Sequence, residues 1–162
     1  IVEYLNKEHN SKLTSDLVYL TVGAAASLAS SLNAIINPND EVICFAPFFP
    51  EYKVFIEKAG GTLKIVKCIE PSFEIDFVEL EKEINKNTKA IIINSPNNPT
   101  GKIINDNELK KLIEIINKKN SEHNNTIFSY FCLPSLEFNK ILIGIEDIQH
   151  EAHLRKLLEF SF

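Results

Sequence analysis

The stretch KAIIINSPNNPTG, residues 89–101, decides the fold of this 162-residue chain. It begins with a continuous apolar run, residues 90–93, of the kind that forms a strand buried on both faces of a parallel sheet. Two prolines and a glycine then fix an irregular backbone path, and two adjacent asparagines add amide donors and acceptors. Ligands of open α/β sheets bind beyond the carboxyl ends of the strands, so residues 94–101 form a candidate binding loop. A rigid turn is the alternative interpretation, because the loop consists of common turn-forming residues.

Short apolar runs alternate with amphipathic stretches on both sides of this segment. The alternation predicts an α/β domain with a mostly parallel sheet flanked by helices. The predicted strands cover residues 17–22, 41–46, 62–68, 89–94 and 126–131. The predicted helices cover residues 2–9, 24–36, 50–59, 76–84 and 106–118.

Local signals mark the ends of these elements. Gly60 and Gly61 predict a left-handed helix end, and Asp76 and Asp106 are predicted helix N-caps. The polar residues 120–125 predict a loop. Four apolar residues of the last predicted helix fall on one face: Leu109, Leu112, Ile113 and Ile116.

Composition excludes several classes of protein. The chain is 44% hydrophobic and 24% charged, and its net charge of -5 is spread without a basic stripe for nucleic acid or an anionic membrane. No apolar run approaches the roughly 20 residues of a membrane span, and the first residues lack the basic-then-apolar pattern of a signal peptide. Three cysteines, Cys44, Cys68 and Cys132, match neither a disulfide framework nor a zinc knuckle and predict buried thiols in a reducing compartment. We therefore expect a cytoplasmic protein without nucleic-acid, membrane or metal partners, and a start at Ile1 without Met suggests a fragment.

Two segments resemble one enzyme family. The sequence NSPNNPTG at residues 94–101 resembles the loop that borders pyridoxal phosphate in the class I/II aminotransferases, which have fold type I. Residues 21–66, TVGAAASLASSLNAIINPNDEVICFAPFFPEYKVFIEKAGGTLKIV, look like the phosphate-binding helix, aromatic loop and following strand of that family. The resemblance implies that residues 1–128 are a partial large, cofactor-binding domain. Residues 129–162 would then be a divergent or non-homologous tail, for which a reading-frame change or an alternative exon boundary near residue 128 would account.

The resemblance also implies the cofactor, pyridoxal 5'-phosphate, and the residues that contact it: Gly23, Ala24, Ala25, Phe49, Tyr52 and Asn98. Backbone amides of residues 23–25 would hold the phosphate at a helix N-terminus. Phe49 would stack on the pyridine ring, Tyr52 would line the same wall, and Asn98 would contact the ring hydroxyl. Cis peptide bonds before Pro47 or Pro99 are a further implication. Without the resemblance, the alanines and aromatics would be assigned to packing.

Three groups that the family's chemistry needs are absent where the resemblance places them. These are a lysine that bonds to the cofactor, an aspartate that pairs with the pyridine nitrogen and an arginine that binds the substrate carboxylate. The aspartate should end the strand at residues 126–131, which contains none. Neither Lys140 nor Lys156 has the small, serine-rich context of the lysine, and Arg155 falls in a predicted tail helix, residues 146–160. We therefore assign no catalytic residue.

Two histidines in the tail, His150 and His153, have helical spacing but too few companions for a metal site. We assign no metal ligand.

Three functions remain open on the sequence. The first is a transaminase fragment whose intact family acts on an amino acid and a 2-oxo acid, and which would be catalytically incompetent by itself. The second is a pyridoxal-phosphate-dependent lyase or decarboxylase of the same fold. The third is a non-catalytic remnant that binds a partner. Family members pair as homodimers, so a homodimer is expected for the intact parent.

Overall fold

A computed structural model describes residues 1–9, 12–133 and 141–145 of the chain. The strands are β1 (Glu41–Ala46), β2 (Thr62–Lys67), β3 (Thr88–Asn94), β4 (Phe128–Leu133) and β5 (Ile141–Ile145). The helices are α1 (Val2–His9), α2 (Ala24–Ile35), α3 (Glu51–Lys58), α4 (Phe77–Glu83) and α5 (Asp106–His123), with one 3-10 turn at Ser15–Leu17. Of the helices in these ranges, none has the length and apolar character needed to cross a membrane.

The strands form one five-stranded sheet in the order β2-β1-β3-β4-β5. The first four pair in parallel, and β5 pairs antiparallel with β4. Parallel neighbours need crossover connections, which α3, α4 and α5 supply in turn. The predicted mostly parallel sheet flanked by helices is confirmed.

Strand β3 lies between β1 and β4 and is buried on both faces. Its side chains alternate across the sheet, because successive residues of a strand point to opposite faces. Ala90 and Ile92 join an apolar cluster that includes Leu32 of α2 and Ile56 of α3. On the other face, Ile91 and Ile93 pack in a cluster with α4 and α5 residues, among them Leu80, Leu109, Leu112, Ile113 and Ile116. The apolar face predicted for α5 is therefore confirmed.

The N-cap of α4 is the one predicted, and that of α5 is not. Asp76 accepts hydrogen bonds from the amides of Val78 and Glu79, each at 3.0 Å. In α5 the N-cap is Asn105 rather than Asp106, because Asn105 forms a reciprocal capping box with Glu108. The true cap lies one residue before the predicted one.

Helix α5 also runs five residues past the predicted end and stops at His123. Residues 120–123, predicted as loop, are helical, and Asn124 ends the helix in the left-handed conformation at φ 48°. The side chain of Asn120 accepts a hydrogen bond from the amide of Ile127 at 2.9 Å. Its polar side chain therefore connects the helix end to the next strand.

The predicted strand at residues 17–22 is wrong. Residues 18–22 carry no strand, and Tyr19, Leu20 and Val22 are 84%, 75% and 97% exposed. An apolar, β-branched segment becomes a strand only where a neighbour accepts its backbone hydrogen bonds. Residues 17–22 pair with none of the described strands.

The glycine pair after α3 has two different roles. Gly60 has φ 90°, as predicted for a left-handed helix end, whereas Gly61 does not have a positive φ. A Cβ atom on Gly61 would lie 2.9 Å from the Cγ2 atom of Ile36. Gly61 thus permits the close approach of two chain segments.

Several sequence-based predictions concern residues that lie outside the described ranges: the tail helix at 146–160, Lys140, His150, His153, Arg155 and Lys156.

Candidate functional site

The candidate site lies where β1 and β3 end. These strands are parallel neighbours, so Ala46 and Asn94 reach the same edge of the sheet. The chain then continues through two irregular segments, residues 47–50 and residues 95–104. Between them lies a narrow cleft, with an internal volume of about 30 Å³, that is partly open to solvent. Its lining residues are Phe45, Pro47, Phe48, Tyr52, Cys68, Phe73, Ile75, Ile92, Asn94, Asn97, Thr100, Lys102 and Ile104.

The loop after β3 is closed by backbone hydrogen bonds. The amide of Asn97 donates to the carbonyl of Lys102, and the amide of Gly101 donates to the carbonyl of Asn97, both at 2.8 Å. Gly101 has φ 72°, a conformation that favours glycine. At the base of the loop, the fully buried hydroxyl of Ser95 accepts a hydrogen bond from the amide of Ile104 at 3.0 Å. The loop is therefore rigidly built.

Side chains within the loop continue this network. The Oδ1 atom of Asn97 accepts from the Thr100 amide at 3.2 Å and from the Thr100 hydroxyl at 2.9 Å. The Thr100 hydroxyl in turn accepts from the amide of Lys102 at 3.1 Å. Asn97 thus organises the loop from inside, while its neighbour Asn98 is exposed. The peptide bonds before Pro47 and Pro99 are both cis, as the resemblance implies.

Three aromatic rings form a wall where α3 begins. Tyr52 is buried, and its ring lies 5.7 Å from that of Phe49 in an edge-on arrangement with planes 74° apart. The Phe48 ring lies 6.4 Å from that of Tyr52 and nearly parallel to it. Tyr52 also belongs to the apolar cluster that contains Leu28 of α2. Helix α2 and the aromatic wall therefore share one face of the sheet.

Among the residues that the structure describes, nothing covers the first turn of α2. Its N-cap is Gly23, at φ 100°, which has no side chain to cap the helix. The first amides of a helix have no acceptor within it, so they present partial positive charge at this end. A Cβ atom on Gly23 would meet nothing of the described chain within 4 Å. Helix ends of this kind favour anionic groups.

The structure brings some of the sequence-predicted site residues together. Phe49 and Tyr52 are in contact, and Tyr52 also lines the cleft. Gly23, Ala24 and Ala25 lie at the start of α2, outside the cleft lining, and Asn98 lies in the loop after β3.

Sequence reasoning did not single out Asn97, Thr100 or Lys102. Asn97 and Thr100 lie within the motif at residues 94–101. The sequence marks this motif as a candidate loop but does not show which of its side chains form hydrogen bonds. Lys102 had no signal, since its partner Glu108 is six residues away along the chain.

Charged and thiol groups near the cleft are paired or neutral. The Nζ atom of Lys102 lies 3.2 Å from the Oε2 atom of Glu108. The pKa of the Cys68 thiol is raised to about 11, mainly by burial and also by the nearby Glu108 carboxylate, while the Lys102 ammonium opposes the shift. Burial also raises the pKa of Cys44. Both thiols are protonated at neutral pH and are not nucleophiles there. Cys44 is buried as predicted, Cys68 is half-buried, and the side chain of Cys132 is outside the described set.

Within the described ranges, no group of three His, Cys, Asp or Glu side chains could hold a metal ion.

Comparison with known proteins identifies the family. The sequence profile of aminotransferase class I and II matches residues 1–123. The chain belongs to this family. An aspartate aminotransferase of Sulfurisphaera tokodaii is 38% identical over 122 residues, and kynurenine–oxoglutarate transaminase 3 of Bos taurus is 34% identical over 117 residues. These alignments cover 74% and 66% of the chain but only 30% and 26% of the two enzymes.

The fold comparison agrees with the sequence comparison. The crystal structure of an aminotransferase from Eubacterium rectale superposes with a TM-score of 0.82 at 31% identity. The superposition covers 99% of this chain and 49% of the Eubacterium rectale chain. The fold is that of the fold type I aminotransferases, and the chain spans about a third of the length of the curated aminotransferases it matches.

Proposed function

We propose that this chain binds pyridoxal 5'-phosphate as part of an aminotransferase large domain. Its contacts would come from Gly23, Ala24, Ala25, Phe49, Tyr52 and Asn98. The observation that carries the proposal is the open first turn of α2, which lies on the same sheet face as the Phe49–Tyr52 pair. A phosphate dianion fits there, because uncapped amides, a helix N-terminus and the absence of a side chain on Gly23 all favour its approach.

The roles of the other residues follow from their chemistry. The face of Phe49 would cover the cofactor's pyridine ring, and the edge contact from Tyr52 would keep Phe49 in place. The Asn98 amide would donate a hydrogen bond to the ring hydroxyl and so orient the ring. When bound, the cofactor supplies an electron sink for negative charge on the substrate carbon. The chain's own residues bind and orient it.

We further propose that the intact parent is a cytoplasmic homodimer that acts on an amino acid and a 2-oxo acid. The 162-residue chain by itself would hold the cofactor without transferring an amino group. Supporting this second part, the lysine, aspartate and arginine that the chemistry needs do not occur at the positions expected from the family.

Cofactor binding is tested by titrating the full chain with pyridoxal 5'-phosphate and following cofactor absorbance and equilibrium dialysis. Ala25→Asp is the decisive variant. A carboxylate in the first turn favours the helix but repels the phosphate, so we expect at least about a tenfold loss of affinity. Ser30→Asp, on an exposed position of the same helix, adds the same charge away from the helix end and should leave affinity unchanged. Equal binding by wild type and Ala25→Asp would disprove the phosphate assignment.

Catalytic incompetence has its own test. The chain is loaded with cofactor, reduced with borohydride and digested, and the peptides are mapped by mass. We expect no single lysine to carry the cofactor, and no conversion of an amino acid and 2-oxo acid pair. Measured turnover, or one lysine labelled in stoichiometric yield, would contradict this part of the proposal.

For the domain organisation, we propose that residues 1–128 are a partial large domain and that residues 129–162 are a divergent tail from a reading-frame change. The family match supports this by ending at residue 123, and residues 126–131 lack the expected aspartate. Translation of the neighbouring frames of the gene tests it. A frame that restores the aspartate and lysine motifs after residue 128 is the expected outcome, and their absence from every frame would exclude this origin.

A further inference from the structure

We propose that Thr100 and Asn97 are positioning residues whose shared hydrogen bond sets the place of Asn98 against the cofactor's ring hydroxyl. The inference rests on the proposed function. It concerns a different property of the site, namely the geometry of the loop that carries Asn98.

The two side chains close the loop around Asn98. The Oδ1 atom of Asn97 accepts from both the amide and the hydroxyl of Thr100, at 3.2 and 2.9 Å. The same hydroxyl accepts from the amide of Lys102 at 3.1 Å. One hydroxyl therefore joins the residue before Asn98 to the residues after it. Asn98 and Pro99 are held at the apex of the turn.

The turn is also anchored at its base. Ser95 accepts a hydrogen bond from the amide of Ile104 at 3.0 Å, which ties the two ends of the loop together beside β3. Lys102 is ion-paired with Glu108 of α5 at 3.2 Å. The orientation of the turn is thus fixed relative to both the sheet and the helix.

Such anchoring matters because the Asn side chain is short. Its amide can reach a ligand only if its backbone is correctly placed, and a site must hold its groups within about 0.5 Å of the productive position. Loss of the Thr100 hydroxyl would leave the Lys102 amide without its acceptor and Asn97 with one donor fewer. Asn98 would then be held less accurately.

The position of Asn98 has a measurable electrostatic consequence. A hydrogen bond from its amide to the ionised ring hydroxyl stabilises the anion and lowers the pKa of that hydroxyl. A displaced Asn98 gives up this stabilisation, and the pKa of the bound ring hydroxyl rises. A role confined to fold stability would not produce this change.

The experiment uses pyridoxine 5'-phosphate as the probe. This compound has the ring hydroxyl and phosphate but no aldehyde, so it forms no bond with lysines. The full chain is loaded with it, and the pH at which the bound ring ionises is read from absorbance. The variants are Asn98→Ala as reference, Thr100→Val without the hydroxyl, Thr100→Ser with it, and Thr62→Val as a matched exposed control.

We expect Thr100→Val to raise the ionisation pH to the value of Asn98→Ala, with affinity for the probe within about threefold of wild type. Thr100→Ser and Thr62→Val should match wild type. Asn97→Ala removes the same hydrogen bond from the other side. If Thr100→Val does not fold, Asn97→Ala should show the same rise in ionisation pH. The double variant Asn97→Ala/Thr100→Val should raise the ionisation pH no further than either single variant, because both remove the same hydrogen bond.

The outcomes separate the two proposals. No binding of the probe by wild type would overturn the proposed function and this inference with it. Binding in which Asn98→Ala raises the ionisation pH and both Thr100→Val and Asn97→Ala leave it unchanged would overturn the inference alone. An unchanged ionisation pH in Asn98→Ala would overturn the inference and remove Asn98 from the proposed contacts.

Discussion

The Oε2 atom of Glu108 lies 3.2 Å from the Nζ atom of Lys102, and the two side chains are 9% and 21% exposed. The same carboxylate accepts from the amide of Asn105 at 3.2 Å and from the amide of Ile75 at 3.4 Å. One buried anion thus connects Lys102, which directly follows the candidate binding loop, with the first turn of α5 and the segment that leads into α4. The Glu108 carboxylate therefore has two backbone hydrogen bonds in addition to its ion pair.

Glu108→Gln should destabilise the protein. Glutamine keeps the size of the side chain, but it has one acceptor oxygen instead of two and leaves the ammonium of Lys102 without its counter-charge. We expect the free energy of unfolding to fall by about 1.5–3 kcal/mol, the usual range for hydrogen bonds to charged groups. Urea denaturation measures it, with Glu114→Gln on an exposed position of the same helix as the control. Equal midpoints for the two variants would show that the ion pair adds nothing.

Leu112→Ala should lower the free energy of unfolding by more than Glu108→Gln does. Leu112 is fully buried in the cluster between the sheet and α5. Removal of a leucine side chain from such a core typically costs about 2–5 kcal/mol, because transfer energy is lost and a cavity remains. Val78→Ala, on a side chain that is 82% exposed, should change stability by less than about 0.5 kcal/mol. Similar losses for both variants in urea denaturation would contradict the packing described for α5.

Cys68 should resist alkylation up to high pH. Its pKa is raised from 9.0 to about 11, so the folded chain keeps the thiol protonated in a range where the unfolded chain ionises it. The contribution of this thiol to the free energy of unfolding is fully present below pH 9.0, and it is lost as the pH rises towards about 11. Iodoacetamide labelling followed by peptide mass mapping measures the reactivity of Cys68 in folded and urea-unfolded protein. Labelling of the folded chain with an apparent pKa near 9.0 would contradict the burial.

Phe49→Leu should weaken cofactor binding if the proposed function holds. Leucine keeps most of the apolar volume but removes the aromatic face and the edge contact with Tyr52. Aromatic pairs contribute about 0.5–1.5 kcal/mol beyond burial, so we expect about a twofold to tenfold loss of affinity for pyridoxal 5'-phosphate. Val54→Leu, on the exposed side of α3, is the control in the same dialysis assay. Unchanged affinity in Phe49→Leu would remove this ring from the proposed contacts.

Local patterns were sufficient where an element carries its own signals. The apolar run at residues 90–93 determined β3, and Asp76 determined the start of α4, because burial on both faces and capping are properties of a few neighbouring residues. The helical spacing of Leu112 and its apolar neighbours likewise determined the buried face of α5. The motif at residues 94–101 located the candidate loop and the family for the same reason.

Tertiary structure decided what depends on distant partners. Residues 17–22 have the composition of a strand, yet Val22 is 97% exposed, because strand formation needs a neighbouring strand that composition does not supply. Within the loop, only the folded backbone distinguishes Asn97, which accepts hydrogen bonds from Thr100, from the exposed Asn98. The pairing of Lys102 with Glu108 also required the turn into α5 to be formed. The sequence by itself therefore determined the family and those elements whose signals are local, among them β3 and the start of α4. The fold determined which polar side chains meet, because hydrogen bonds and ion pairs depend on distances in space.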